Sequence, residues 1–172
     1  MISTRSIVCS AAFLAATALT PVTSWAAQDG MPAATRQPHV AAISASCSST
    51  KVDYTASNNG GSFTTSESFV DIPEGSVTFA QRRTGCILVK FDGMGFAGGT
   101  ALEFVAALLD GTEMFPGDIQ FTGGDSTWAS SHAASWVATN VAAGTHTVQM
   151  EFRSKDGQNV YIIYHTTAVS HK

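Results

Sequence analysis

The chain has 172 residues, 44% of them hydrophobic and 13% charged, with 9 Lys+Arg against 13 Asp+Glu and a formal net charge of −4. Roughly half the charged fraction of an ordinary soluble domain is present. The chain is therefore too apolar to be disordered throughout and too poor in basic residues to bind nucleic acid by charge.

Residues 1–26 have the three-part layout of a secretory signal peptide. Arg5 is the one charge, an apolar stretch from Ile7 to Leu19 follows, and Pro21 closes it. Ser24-Trp25-Ala26 places small residues at the −3 and −1 positions of a cleavage site before Ala27. The apolar stretch falls short of the roughly 20 residues a spanning helix needs, so the expectation is export with no integral membrane association. Residues 27–39, with Pro32, Pro38 and Gly30 and no periodicity, read as a flexible leader. Cleavage would remove Cys9 and leave Cys47 and Cys86. In an oxidising compartment such a pair reads as a disulfide, with two buried thiols or an intermolecular bridge as the alternatives.

From residue 40 to 172 short apolar runs alternate with turn signals, the rhythm of an antiparallel sandwich or barrel. The expected turns include Pro73-Glu74-Gly75, Asp92-Gly93, Gly98-Gly99, Asp110-Gly111, Pro116-Gly117 and Asp156-Gly157. Ser76–Ala80 and Gly85–Phe91 read as strands. Thr100–Leu109 carries a capping box and helix formers, yet sits among strands and runs into Asp110-Gly111. It is expected as a strand, with Leu102, Phe104, Ala106 and Leu108 inward and Glu103 outward. Thr145–Arg153 alternates strictly, with His146, Val148, Met150 and Phe152 on one face. The turn at 155–158 predicts a hairpin into Asn159–Val169, which is apolar or aromatic on both faces and is either central or covered by a partner. Tyr161 and Tyr164 are expected on opposite faces of this last strand, so that at most one can join any single patch.

The pieces Phe69-Val-Asp-Ile-Pro73, Gly85-Cys-Ile-Leu-Val-Lys-Phe91, Leu109-Asp-Gly111, Pro116, Gly144-Thr-His-Thr-Val148 and Phe152-Arg153 resemble a group of bacterial secreted β-sandwich proteins. The resemblance covers the chain from Ser68 onward and implies a single all-β, antiparallel, jelly-roll-like sandwich. The group has no assigned activity, so no catalytic residue carries over. Gly144-Thr-His-Thr-Val148 is also similar to the late strand of some carbohydrate-binding jelly rolls.

Catalytic patterns are scarce. Gly-x-Ser-x-Gly is missing, and Gly124-Asp125-Ser126 lacks the downstream Asp-x-x-His that an esterase of that type requires. Glu103, Asp110, Glu113 and Asp118 supply the carboxyls a glycosidase would need, but each reads equally well as a strand or turn residue. No His or Cys spacing suits zinc. Calcium is the one cofactor kept open, because Asp92, Asp110, Asp118 and Asp125 fall at expected turns, though without the calcium-loop pattern.

Trp128 and Trp136 bracket Ser130-Ser131-His132 in a segment of small residues. Exposed, such rings make a stacking platform for a sugar; buried, they fill the core. The expectation is thus a non-catalytic binding module for a glycan or other cell-surface ligand, with Trp128, Trp136 and His132 as candidate site residues. A structural protein that assembles with copies of itself through the apolar C-terminal strand is the alternative, and a small secreted hydrolase comes third.

Overall fold

The computed structural model describes residues 47–58, 61–123 and 128–172. The signal-peptide and leader readings, residues 40–46 of the expected domain, and Gly124-Asp125-Ser126 lie outside them. Ten strands follow in order: β1 Lys51–Ser57, β2 Ser62–Thr64, β3 Val70–Gln81, β4 Gly85–Ala97, β5 Leu102–Leu109, β6 Thr112–Glu113, β7 Ile119–Gly123, β8 Ser130–Val141, β9 Gly144–Ser154 and β10 Val160–His171.

All pairings are antiparallel. One sheet runs β1-β10-β4-β8 with β2 beside β10, and the other runs β3-β9-β5 with β6 and β7 both beside β5. Without the short β2 and β6 the sheets read β1-β10-β4-β8 and β3-β9-β5-β7, the eight-strand order of a jelly roll. Of the antiparallel sandwich or barrel expected from the turn rhythm, the sandwich is the one observed, in the jelly-roll-like form that the resemblance implies. Cys47 and Cys86 form the disulfide, with Cα atoms 5.5 Å apart, a crosslink of the kind that persists in oxidising compartments.

The core lies between the sheets, where alternate residues of facing strands meet. Trp136, Phe91, Phe152, Ile72, Ile87 and Met150 are its largest fully buried apolar side chains. β9 places Val148, Met150 and Phe152 inward as its alternation predicts, with the partly exposed His146 at the rim.

Several local expectations need correction. Residues 102–109 do form a strand, but in the opposite phase: Glu103, Val105 and Ala107 face inward, opposite Ser154, Phe152 and Met150 of β9. The pairing partner sets this phase, because β9 can present only one apolar face to the core. Phe104 is therefore displaced outward, where the Arg153 guanidinium lies 4.7 Å from its ring centre. The turn at 155–158 does not make a hairpin, since β9 and β10 belong to different sheets and the segment crosses from one to the other.

Pro73-Glu74-Gly75 and Asp92-Gly93 are not turns. The first is a bulge inside β3, where the register jumps between Asp71 and Ser76 and Glu74 has φ 60°. Asp92 and Gly93 lie within β4 and pair with both β10 and β8. Asp110-Gly111 is a true two-residue turn joining β5 to β6, and both residues have positive φ, 49° and 79°, as a primed turn requires.

Candidate functional site

The sheet containing β10 carries an open groove of about 720 Å³. Three consecutive positions from each of four neighbouring strand segments form it: residues 56–58, 164–166, 92–94 and 131–133. Register explains the arrangement. Ser57, His165, Gly93 and His132 lie in one row across the sheet; Ser57, His165 and His132 point their side chains toward the interior and Gly93 has none, so the backbone of the row makes the floor. The flanking rows, Ala56-Thr166-Asp92-Ala133 on one side and Tyr164-Met94-Ser131 on the other, point outward as walls. The groove therefore runs across the strands, from edge strand β1 to edge strand β8.

Gly93 keeps the floor thin. A side chain there would start 3.1 Å from the Tyr164 carbonyl oxygen and 3.4 Å from Phe121. This packing keeps a glycine in the middle of a strand where the sequence suggests a turn.

A second irregularity decides which aromatics reach the outer face. The β10–β4 register shifts between Ile162 and Tyr164. The extra residue brings Tyr161 and Tyr164 to the same face, contrary to simple alternation. Tyr164, 49% exposed, stands in the groove wall. Tyr161 lies beside it in a cluster with Phe63 and Phe96, at centroid distances of 5.8 and 5.6 Å. Tyr54 and Val52 of β1 and Leu88 of β4 also stand exposed on this face.

Electrostatically the groove is sparse. Among the described residues Asp92 is its one carboxylate and no lysine or arginine lines it, and Lys90 Nζ holds Asp92 Oδ1 at 3.2 Å. Burial holds His165 below the usual histidine range, opposed by a hydrogen bond with the Glu74 backbone and the Glu74 charge.

The residues expected to form the site do not form a single platform. Trp136 is 1% exposed, and its indole Nε1–H donates to the Gly117 carbonyl at 2.7 Å. It is a core residue and offers no ring face to a ligand. His132 points inward on the same side of β8: its ring lies 5.3 Å from Phe121 and its Nε2 is 2.6 Å from Ser130 Oγ, while its position lines the groove floor. Trp128 is 80% exposed at the entry to β8 and is not among the groove residues. The sequence reading took Asp92 only as a turn carboxylate, Tyr164 only as one aromatic of the last strand and Thr166 not at all, because a bulge and four-strand register, both long-range properties, bring them together. The exposed Tyr164 of a two-sided aromatic strand was the only local signal.

The carboxyls considered for catalysis or calcium are dispersed. Glu103 is fully buried between the sheets, with neither oxygen hydrogen-bonded among the described residues. Asp110 accepts from His146 Nδ1 at 2.6 Å and from the Thr147 amide at 2.8 Å, and Asp118 accepts from Arg153 at 2.9 Å. Among the described residues no three His, Cys, Asp or Glu side chains gather as a metal site would require. No helix among them is long and apolar enough to cross a membrane.

Comparison with known proteins finds no matching family and no matching curated protein. Among solved structures, dimeric latent PorU from Porphyromonas gingivalis is similar over 74% of this chain, at 15% identity and a TM-score of 0.31. The match takes in 14% of that protein's length.

Proposed function

We propose that the protein is a secreted, non-catalytic binding module whose transverse groove takes a carbohydrate, such as a cell-surface glycan. The groove itself carries the reading. It is within the size range of small-ligand sites, and it sets one half-exposed tyrosine ring beside a few polar groups: Asp92, Thr166, Ser131 and Asn58. A sugar ring has an apolar C–H face and a rim of hydroxyls, and an aromatic wall with hydroxyl and carboxylate neighbours matches both. The signal-peptide layout of residues 1–26 and the Cys47–Cys86 bridge support export to an oxidising compartment. Retention on immobilised polysaccharide, compared between the native chain and Tyr164→Ala, tests the reading.

A second reading rests on Val52, Tyr54, Phe63 and Leu88, exposed on the same outer face at 59, 72, 66 and 41%. An apolar face of this kind suits self-association. Both backbone edges of β10 are already paired, so assembly would use the face of the sheet and not the edge of the C-terminal strand. Light scattering distinguishes the two, since this reading requires a discrete oligomer.

A further inference from the structure

We infer that the groove takes an internal stretch of a linear, uncharged polysaccharide, an inference that rests on the carbohydrate reading and narrows it. Three observations carry it. The first is direction and length. The groove crosses the sheet at right angles to the strands and spans three inter-strand spacings, roughly 14 Å. That is longer than a single sugar ring, so a monosaccharide would leave most of the groove in water.

The second is the absence of a stop. β1 and β8 are the outer strands of this sheet among the described residues. The groove meets both, so among the described residues its two ends open at the sheet margins. A site for a chain terminus needs a wall that ends the chain; a trough open at both margins lets a polymer continue past it in either direction.

The third is charge. Among the described residues the lining holds the Asp92 carboxylate and no lysine or arginine. A polyanionic glycan would find no lysine or arginine among the described lining residues to pair with, and would lose the hydration of its own charges. Lys90 lies against Asp92 at 3.2 Å, and the two side chains are 57 and 46% exposed. This pairing compensates the carboxylate and leaves it without a strong demand for a cationic ligand. A carboxylate so held accepts hydrogen bonds from adjacent sugar hydroxyls, and Thr166, in the same row, offers both a donor and an acceptor. Met94 and the Tyr164 ring supply the apolar contact from the opposite wall.

The test is affinity electrophoresis and calorimetry of the full mature chain with a matched panel. The neutral probes are mannan, xyloglucan and mixed-linkage β-glucan; the acidic probes are polygalacturonate and a sulfated glucan; chitosan is the cationic one. Each neutral probe is also offered as its monosaccharide and as fragments of increasing length. The inference expects at least one neutral polymer to bind, with affinity rising with chain length until the groove is filled and then levelling. Added salt should leave it unchanged, and Asp92→Asn should weaken it about tenfold or more. Tightest binding to an acidic polymer or to chitosan, or a monosaccharide that binds as well as its polymer, would overturn the inference while leaving the carbohydrate reading in place. Failure of every probe to bind would overturn the carbohydrate reading itself, and undiminished binding by Tyr164→Ala would overturn the assignment of the carbohydrate to this groove.

Discussion

Glu103 Oε2 lies 2.9 Å from where a side chain on Gly95 would begin, so the acid and the glycine share one space between the sheets. Thr122 and Phe121 close the same space, at 3.0 and 3.3 Å from that point. Burial pushes the Glu103 carboxyl up to about 9, because charging it there would strip its water without supplying a hydrogen bond in return. The acid is therefore neutral in the folded protein at ordinary pH.

Glu103 makes stability depend on pH in a definite direction. Between its ordinary value of 4.5 and about 9 the folded chain holds a proton that the unfolded chain has released. Its contribution is fully present below 4.5 and is lost as pH rises through 9. Melting temperature against pH should fall more steeply for the native chain than for Glu103→Gln across this window. Parallel curves would show that Glu103 is not a neutral buried acid. Gly95→Ala should destabilise at every pH, by about 1–3 kcal/mol for an overpacked core position.

The Asp110–His146 pair has a different profile. Its hydrogen bond to Asp110 chiefly raises the His146 imidazole, and its bond from His146 chiefly lowers the Asp110 carboxyl. The Asp110 contribution is present above 3.8 and lost as pH falls through its lowered value. The His146 contribution is present below 6.5 and lost as pH rises through its raised value. Asp110→Asn should lose stability most between these limits and converge on the native chain outside them. Denaturant titration at acidic, mildly acidic and alkaline pH checks this. Asp110 is half exposed, with a side-chain accessibility of 49%, so salt should reduce the effect.

The two described tryptophans should separate cleanly. Trp136→Ala removes the largest core side chain and its bond to the Gly117 carbonyl, and should cost about 3–5 kcal/mol. Trp128→Ala alters an 80% exposed ring and should stay within roughly 0.5 kcal/mol of the native chain. Thermal or denaturant unfolding of both variants decides the assignment. A large loss at Trp128 with none at Trp136 would reverse it.

The disulfide joins residues 39 apart, Cys47 just before edge strand β1 and Cys86 near the start of β4. Reduction, or Cys47→Ser with Cys86→Ser, releases a loop whose closure is worth about 4 kcal/mol in the chain-entropy model. Chemical denaturation with and without reductant should show a loss approaching that value. An unchanged midpoint would mean that the bridge does not constrain the unfolded chain.

Much of this architecture is written locally. The alternation of Val148, Met150 and Phe152 defines β9 without help from any other strand. The sandwich rhythm and the Cys47–Cys86 pairing are similarly plain. The phase of β5 is not, because Leu102–Leu109 is apolar on both faces and only its pairing with β9 turns Glu103 inward. Asp92-Gly93 has the composition of a turn and becomes strand because both residues pair with β10 and with β8, while Phe121 and the Tyr164 backbone crowd the position of a Gly93 side chain. The candidate site suffers most from this limit. Its walls come from four strands far apart in sequence, and its aromatic face depends on one extra residue between Ile162 and Tyr164. Tryptophan content pointed instead to Trp136, whose size makes it the core's largest side chain.

The most direct test of the groove is a paired measurement on Tyr164→Ala: retention on an immobilised neutral polysaccharide and melting temperature. With a half-exposed ring removed from the outer face, retention should drop at least about tenfold while stability stays within roughly 0.5 kcal/mol of the native chain. Full retention by a stably folded Tyr164→Ala chain would contradict the account.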